Sequence, residues 1–157
     1  MTIYIAYGAN LNKHNMAIRC PNAISKGSSK LQDYKLVFNN VATIVKSKGN
    51  SVEVALWKIT DDCEKALDKY EGFPNLYRKE YLNDSVTKQK GMVYIMNYGG
   101  MNLPNKTYFD TIEEGYEDFD LDRTYLVKAV LEANDYQSTI GNIIPVSRKR
   151  RGGRQWN

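Results

Sequence analysis

"TIYIAYGANLNKHNMAI", residues 2–18, decides the fold. TIYIAY is a β-branched and aromatic run that reads as a strand. Gly8 breaks it, and Asn10 or Asn12 supplies a cap for a helix predicted over residues 11–19, with Met16 and Ile18 turned inward. A strand that passes through one glycine directly into a helix raises the question of what the rest of the chain alternates with.

Downstream, YKLVFNN (34–40) and VATIVKS (41–47) read as two strands interrupted near Asn39 and Asn40. Gly49–Asn50 gives a turn signal, and SVEVALWKI (51–59) alternates apolar and polar residues as a further strand. Trp57 alternates with Ala55 and Ile59 and is expected in the core. Thr60 or Asp61 then caps a helix on which Cys63, Ala66, Leu67 and Tyr70 share one face. YRKEYLNDSVT (77–87) and KGMVYIMNY (90–98) form another strand pair across a polar turn. Two helices follow, over about 105–116 and 122–134, the second with Tyr125, Leu126, Ala129 and Val130 inward. Short turns favour antiparallel pairing, so the order of elements predicts one mixed α+β domain, mainly antiparallel.

The 157 residues suit one domain with a real core. No apolar run reaches the roughly 18 residues of a membrane span, and MTIYIAYGAN has neither the basic start nor the long apolar stretch of a secretion signal. A cytoplasmic protein is expected. Cys20 and Cys63 belong to no CxxC pair and are expected as reduced, packed thiols. With His14 the one histidine, and read as an exposed residue, the chain is short of ligands for a protein-built zinc site, so no metal is expected. The net charge of +4 belongs to the last ten residues, RKRRGGRQWN, which carry five cations and no acid; residues 1–147 sum to −1. The chain therefore divides into a domain (1–147) and a basic tail (148–157), and the neutral body does not point to nucleic acid.

Two places suit chemistry. At the strand-to-helix turn, Tyr7, Gly8, Ala9 and Asn10 can aim backbone N–H groups at one anion, although the same pattern caps helices in many folds. Glu71, at the end of the second helix beside Tyr70, Phe73 and Tyr77, can gain basicity by desolvation; as a solvated helix end, or paired with Arg78 or Lys79, it would simply stay ionised.

Taken in order, YIAYGANL, ATI, VEVALWKI, LDKYEGFPNLYRK, VYIMNY and PNKTYFDTIEEGYEDFDL resemble the gamma-glutamylcyclotransferase family, also called the AIG2-like superfamily. The resemblance covers nearly everything but the tail. It implies a β-barrel-like sheet flanked by helices and a pocket shared by the first turn and Glu71. Tyr7, Gly8, Ala9 and Asn10 would receive the α-carboxylate end of a γ-glutamyl group, Tyr77 and Tyr108 would line the pocket, and Glu71 would be general acid and base. Ala9 stands where the family often has serine, which removes a hydroxyl but keeps the backbone N–H. The implied reaction, of the acyltransferase or lyase kind, closes a γ-glutamyl group into 5-oxoproline and releases an amine or amino acid, with no cofactor. Two other readings remain: a binding protein for a glutamyl-like metabolite, and an adaptor for anionic surfaces or nucleic acid acting through the tail.

Overall fold

The first strand, β1 (Thr2–Ala6), lies in the middle of the sheet. It runs antiparallel to β3 (Val41–Ile59), from Thr2 opposite Ile59 to Ala6 opposite Ala55, and parallel to β5 (Lys90–Met96) through Tyr4 and Met92. Adding β2 (Ile24–Asn39) outside β3 and β4 (Tyr77–Asn83) outside β5 gives the order β2-β3-β1-β5-β4, antiparallel at every junction except β1–β5. A 3₁₀ turn (Ala9–Leu11) and α1 (Lys13–Arg19) follow β1, α2 (Asp61–Glu71) links β3 to β4, and α3 (Lys106–Asp118) and α4 (Arg123–Ile143) close the chain. The protein is seen here in a computed structural model that describes residues 1–143; the predicted tail, 148–157, lies outside them. No helix among the described residues is long and apolar enough to cross a membrane.

The expected mixed, mainly antiparallel sheet is present, and its barrel-like character is a curl. The outer strands β2 and β4 share no ladder, but the turn after β4 folds onto β2. The Ser85 N–H donates to the Lys30 carbonyl (2.8 Å), Ser85 Oγ accepts from the Gln32 N–H (2.7 Å), and Ser29 Oγ donates to Asp84 (2.5 Å). The core is gathered on the inner face and under the helices, with Ile5, Phe38, Ile44, Leu56, Leu67, Met92, Ile112 and Leu126 almost fully removed from water. Each such side chain contributes about 1.5–3 kcal/mol by its burial. Trp57 is in the core as expected.

Several expectations need correction. VATIVKS and SVEVALWKI are one strand, β3, and Gly49–Asn50 sits in an irregularity of the β2–β3 ladder rather than in a turn. There Asp33, at φ +66°, stands where the register jumps, and its carboxylate accepts from the Gly49 N–H (3.0 Å). A bulge and a turn use the same residue types, which is why the two are confused in sequence. The real reversal is at Asn40 (φ +67°), between the paired Asn39 and Val41. β2 also begins ten residues earlier than YKLVFNN suggests, because β3 supplies a ladder partner to the polar stretch from Ile24. α1 starts only at Lys13, and Ile18 is exposed, since this seven-residue helix buries Met16 alone.

Cys20 and Cys63, expected as separate thiols, are joined in a disulfide. Cys20 caps the end of α1 and Cys63 lies in the first turn of α2, which brings their Cα atoms to 5.1 Å, inside the range that a disulfide bridges.

Candidate active site

How α2 ends places Glu71. The Thr60 hydroxyl accepts from the Cys63 N–H (3.2 Å) at the start, and Asp61, Asp62 and Glu64 sit where the helix dipole favours negative charge. At the other end Gly72 takes φ +62°. Its N–H bonds to the Lys69 carbonyl (3.3 Å) and the Phe73 N–H to the Asp68 carbonyl (2.9 Å), the paired closure that stops a helix at a glycine. Glu71 is thus the last helical residue. It stands four positions after the fully buried Leu67, on the same helix face, and so reaches the sheet side.

The first turn faces it. The Leu11 and Asn12 N–H groups are used within the turn, on the Gly8 and Ala9 carbonyls (3.0 and 3.1 Å), while no group among the described residues accepts from the N–H of Ala9 or Asn10. Those two donors are the ordinary surplus of a helical start. Asn12, rather than Asn10, is the cap of α1, accepting from the Asn15 N–H (3.0 Å). Gly8 allows a close approach: a Cβ there would lie 3.2 Å from the Ala42 Cβ, so the hairpin tip would have to give by a few tenths of an ångström. Ala42 and Val41 arrive on the rim because the reversal at Asn40 ends there.

Between these parts is a cavity of about 240 Å³, lined by Tyr4, Tyr7, Gly8, Ala9, Asn10, Val41, Ala42, Tyr70, Glu71, Leu76, Tyr77, Tyr94 and Tyr108. All seven residues singled out in the sequence line it. Tyr4, Tyr70 and Tyr94 were missed as wall residues. The helical spacing places Tyr70 on the buried face of α2, whereas it is 44% exposed and walls the cavity instead.

The tyrosine hydroxyls differ in what their protons do. Tyr77 donates to the Ala42 carbonyl (2.5 Å), Tyr7 to the Tyr94 carbonyl (2.6 Å), and Tyr94 to the Asp68 carboxylate (2.5 Å). Tyr108 instead accepts from the Ala42 N–H (2.9 Å), and Tyr4 accepts from the Asn10 side-chain amide (3.0 Å). A hydroxyl that accepts still holds a proton to donate, so Tyr4 and Tyr108 keep a free donor, as does the more exposed Tyr70, whose hydroxyl donates to no described residue. Burial, and then the charge of Glu71 among other neighbours, pushes the hydroxyls of Tyr4, Tyr7, Tyr77 and Tyr108 well above the usual phenol range, so all remain protonated.

Burial also pushes the Glu71 carboxyl up to about 7, against the opposing pull of Arg19. Arg78 and Lys79, considered as its partners, are engaged elsewhere: Arg78 with Glu80 (2.7 Å), Lys79 with Glu64 (2.6 Å) and Asp68 (2.9 Å). A partly buried carboxyl near neutrality, facing spare N–H and O–H donors across a small cavity, can hold and return a proton beside an anchored anion.

A model of the family described as "Gamma-glutamyl cyclotransferase, AIG2-like" matches residues 4–120, which includes every residue of the cavity wall. The chain belongs to this family. Proteins named gamma-glutamylcyclotransferase from Bos taurus and Homo sapiens are each 29% identical to it, over 90% of this chain and 85% of theirs. A solved structure titled gamma-glutamyl cyclotransferase superposes with a TM-score of 0.74 at 25% identity, covering 82% of this chain and 85% of that one. The Bacillus subtilis protein YkqA (TM-score 0.69, 19% identity, 86% and 55% covered) shares the fold. Within a gamma-glutamyl cyclotransferase, AIG2-like domain, the wall described above falls on β1 and the turn after it, the tip of the β2–β3 hairpin, the end of α2, the start of β4, β5 and the start of α3.

Proposed function

We propose that this chain converts a γ-glutamyl amide into 5-oxoproline, releasing an amine or amino acid, with Glu71 as the group that moves the proton. The observation that carries the reading is the Glu71 carboxyl, raised to about 7 and accepting no hydrogen bond from any described residue, on the wall of a cavity whose opposite side offers unused donors.

In this scheme the substrate's neutral α-amine attacks its own γ-carbonyl carbon. The new C–N bond forms, the carbonyl oxygen becomes an oxyanion, and ionised Glu71 takes the proton that the amine sheds. The amide C–N bond then breaks as Glu71 returns that proton to the departing nitrogen. A carboxyl with a pKa near the working pH is suited to both halves. The Ala9 and Asn10 N–H groups meet the α-carboxylate, helped by the helical start. Tyr4 and Tyr108, with spare protons, are the hydroxyls suited to the oxyanion. Because the attack is intramolecular, much of the acceleration comes from holding amine and carbonyl within roughly 3–3.5 Å.

The test is incubation of the purified protein with γ-glutamyl derivatives of amino acids, a peptide, the lysine ε-amine and a small amine, with 5-oxoproline and free glutamate both quantified. Amine and 5-oxoproline released in equal amounts is the expected result. Free glutamate in place of 5-oxoproline would mean hydrolysis, and saturable binding without turnover would leave a binding protein; either refutes the proposal.

A further inference from the structure

We infer that Arg19 is a positioning residue that ties the first turn to the end of α2, orienting Asn10 towards Tyr4 and keeping a cation behind Glu71. The inference rests on the proposed role of Glu71, and its first measurement needs no turnover.

Arg19 is not on the cavity wall; it stands behind it, as the last residue of α1. Its guanidinium donates to Asn10 Oδ1 and lies over the Tyr70 ring, 3.5 Å from the ring centroid. One side chain on α1 therefore touches both the first turn and the residue that precedes Glu71. The disulfide at the next residue, Cys20–Cys63, fastens that end of α1 to the first turn of α2.

The consequence for Asn10 is a matter of polarity. A primary amide offers an acceptor oxygen on one side and a donor nitrogen on the other. Because Arg19 can only donate, it takes the oxygen and leaves Nδ2 for Tyr4, whose hydroxyl accepts it at 3.0 Å. That bond leaves the Tyr4 proton for the cavity. With the amide reversed, Tyr4 would have to donate to it, and the cavity would lose that proton. Arg19 thus selects which way a hydroxyl it never touches can act.

The consequence for Glu71 is electrostatic. The groups around the cavity that face Glu71 are the phenols Tyr4 and Tyr7 from β1 and its end, Tyr70 from α2, Tyr77 from β4, Tyr94 from β5 and Tyr108 from α3, all neutral. Asp68, one turn earlier on α2, is tied to Lys79 and Tyr94. Among the described residues Arg19 is the cation whose charge opposes the effect of burial on Glu71.

The variants Arg19→Met and Arg19→Lys separate the two consequences. Methionine preserves much of the stem but neither the charge nor the donor; lysine keeps the charge on a point ammonium and loses the planar fork that stacks and donates at once. The Glu71 carboxyl is first titrated by carbon NMR in the free proteins, assigned by its disappearance in Glu71→Gln. Arg19→Met should move the titration to higher pH by about one unit, the lower end for loss of an adjacent opposite charge, and Arg19→Lys should leave it near the wild-type position. On a γ-glutamyl substrate, Arg19→Met should lose about tenfold in kcat/KM at pH 6 beyond any loss at pH 9. At pH 9, where Glu71 is ionised in either case, both variants should lower kcat about 10²-fold with little change in KM, as expected when the Tyr4 donor is turned away from the oxyanion. An unchanged Glu71 titration in Arg19→Met, with the protein folded by circular dichroism, would overturn the electrostatic half. An unchanged kcat at pH 9 in both variants would overturn the positioning half. If the titration shifts as expected but wild type forms no 5-oxoproline, the proposed function fails and the placement of Arg19 behind Glu71 stands.

Discussion

Gly115 of α3 is the position at which the smallest addition should reach the site from outside it. A Cβ there would lie 2.6 Å from the Leu11 Cβ, 2.8 Å from the Asn12 nitrogen and 2.9 Å from the Leu11 carbonyl carbon. Carbon contacts are comfortable at about 3.5–4.0 Å, so Gly115→Ala creates overlaps of roughly 1 Å, two of them with main chain. Side-chain rotation cannot relieve these. The turn is also held against α3 by the Asn12 amide on the Thr111 carbonyl (3.1 Å) and by the Lys13 N–H on Asp118 (2.9 Å). Either α3 backs away, carrying Tyr108, or residues 8–12 shift towards the cavity. Alanine is favoured over glycine within a helix by about 1 kcal/mol, whereas overpacking of this kind costs about 1–3 kcal/mol. With backbone as the obstacle the cost belongs at the upper end, leaving a net loss of about 1–2 kcal/mol, or about 2–8 °C in Tm for a chain of this size. A displacement of about 1 Å at the turn should reduce kcat/KM on the order of 10²-fold. The assays are urea denaturation, thermal melting and steady-state kinetics of 5-oxoproline formation. A variant as stable as wild type, with unchanged kcat/KM, would refute the reasoning, because helix propensity would then have outweighed a contact that α3 does not in fact impose on the turn.

Glu71→Gln should keep the fold and lower kcat by about 10²–10⁴-fold, the span of general acid–base catalysis. Since the folded carboxyl titrates at about 7 and the unfolded one near 4.3, the native state binds more protons between those values and wild-type stability falls as pH rises through that window. The glutamine variant should therefore be the more stable protein above pH 7, with the difference gone below about pH 4, as read by urea denaturation across pH. Asp84 has the opposite sign: burial would raise its carboxyl, but hydrogen bonds from Ser29, Thr87 and Gln89 hold it at about 2. Its contribution should be complete above about pH 4 and lost as pH falls through 2, so Asp84→Asn should destabilise at pH 7 and much less at pH 2, again by urea denaturation. A chain ending at Ser147, without the basic tail, should keep its Tm and its turnover, since the tail lies beyond the residues matched by the family model.

The sequence made the residues of the cavity wall easier to see than the architecture around them. Glu71 and the turn at Gly8 were legible because helix endings and strand-to-helix breaks are written in local residue types, and both lie where those types demand. The β2–β3 ribbon was not, because the polar residues from Ile24 to Gln32 become a strand only when β3 lies beside them, a tertiary preference that overrides local propensity. Arg19 carries no local sign of a role; its two contacts, to Asn10 and across to Tyr70, exist only once α1 has docked on α2. The disulfide escaped for the same reason, since neither cysteine carries a local sign of its partner. Tyr4 and Tyr94 were hidden by β alternation, which assigns a residue to a face without saying whether that face meets core or cavity.

The Cys20–Cys63 bond also changes the connectivity of the molecule. Its sulfurs close a ring that contains the whole of β2 and β3, from Ile24 to Ile59. A backbone cut within that ring, for instance near the irregularity at Gly49, opens a loop without dividing the polypeptide. The two pieces remain one covalent body, with the turn and Tyr4 on one piece and Glu71 on the other. The oxidised protein is therefore a natural candidate for new chain ends inside the ribbon, placed where the halves of the cavity stay linked by sulfur rather than by peptide.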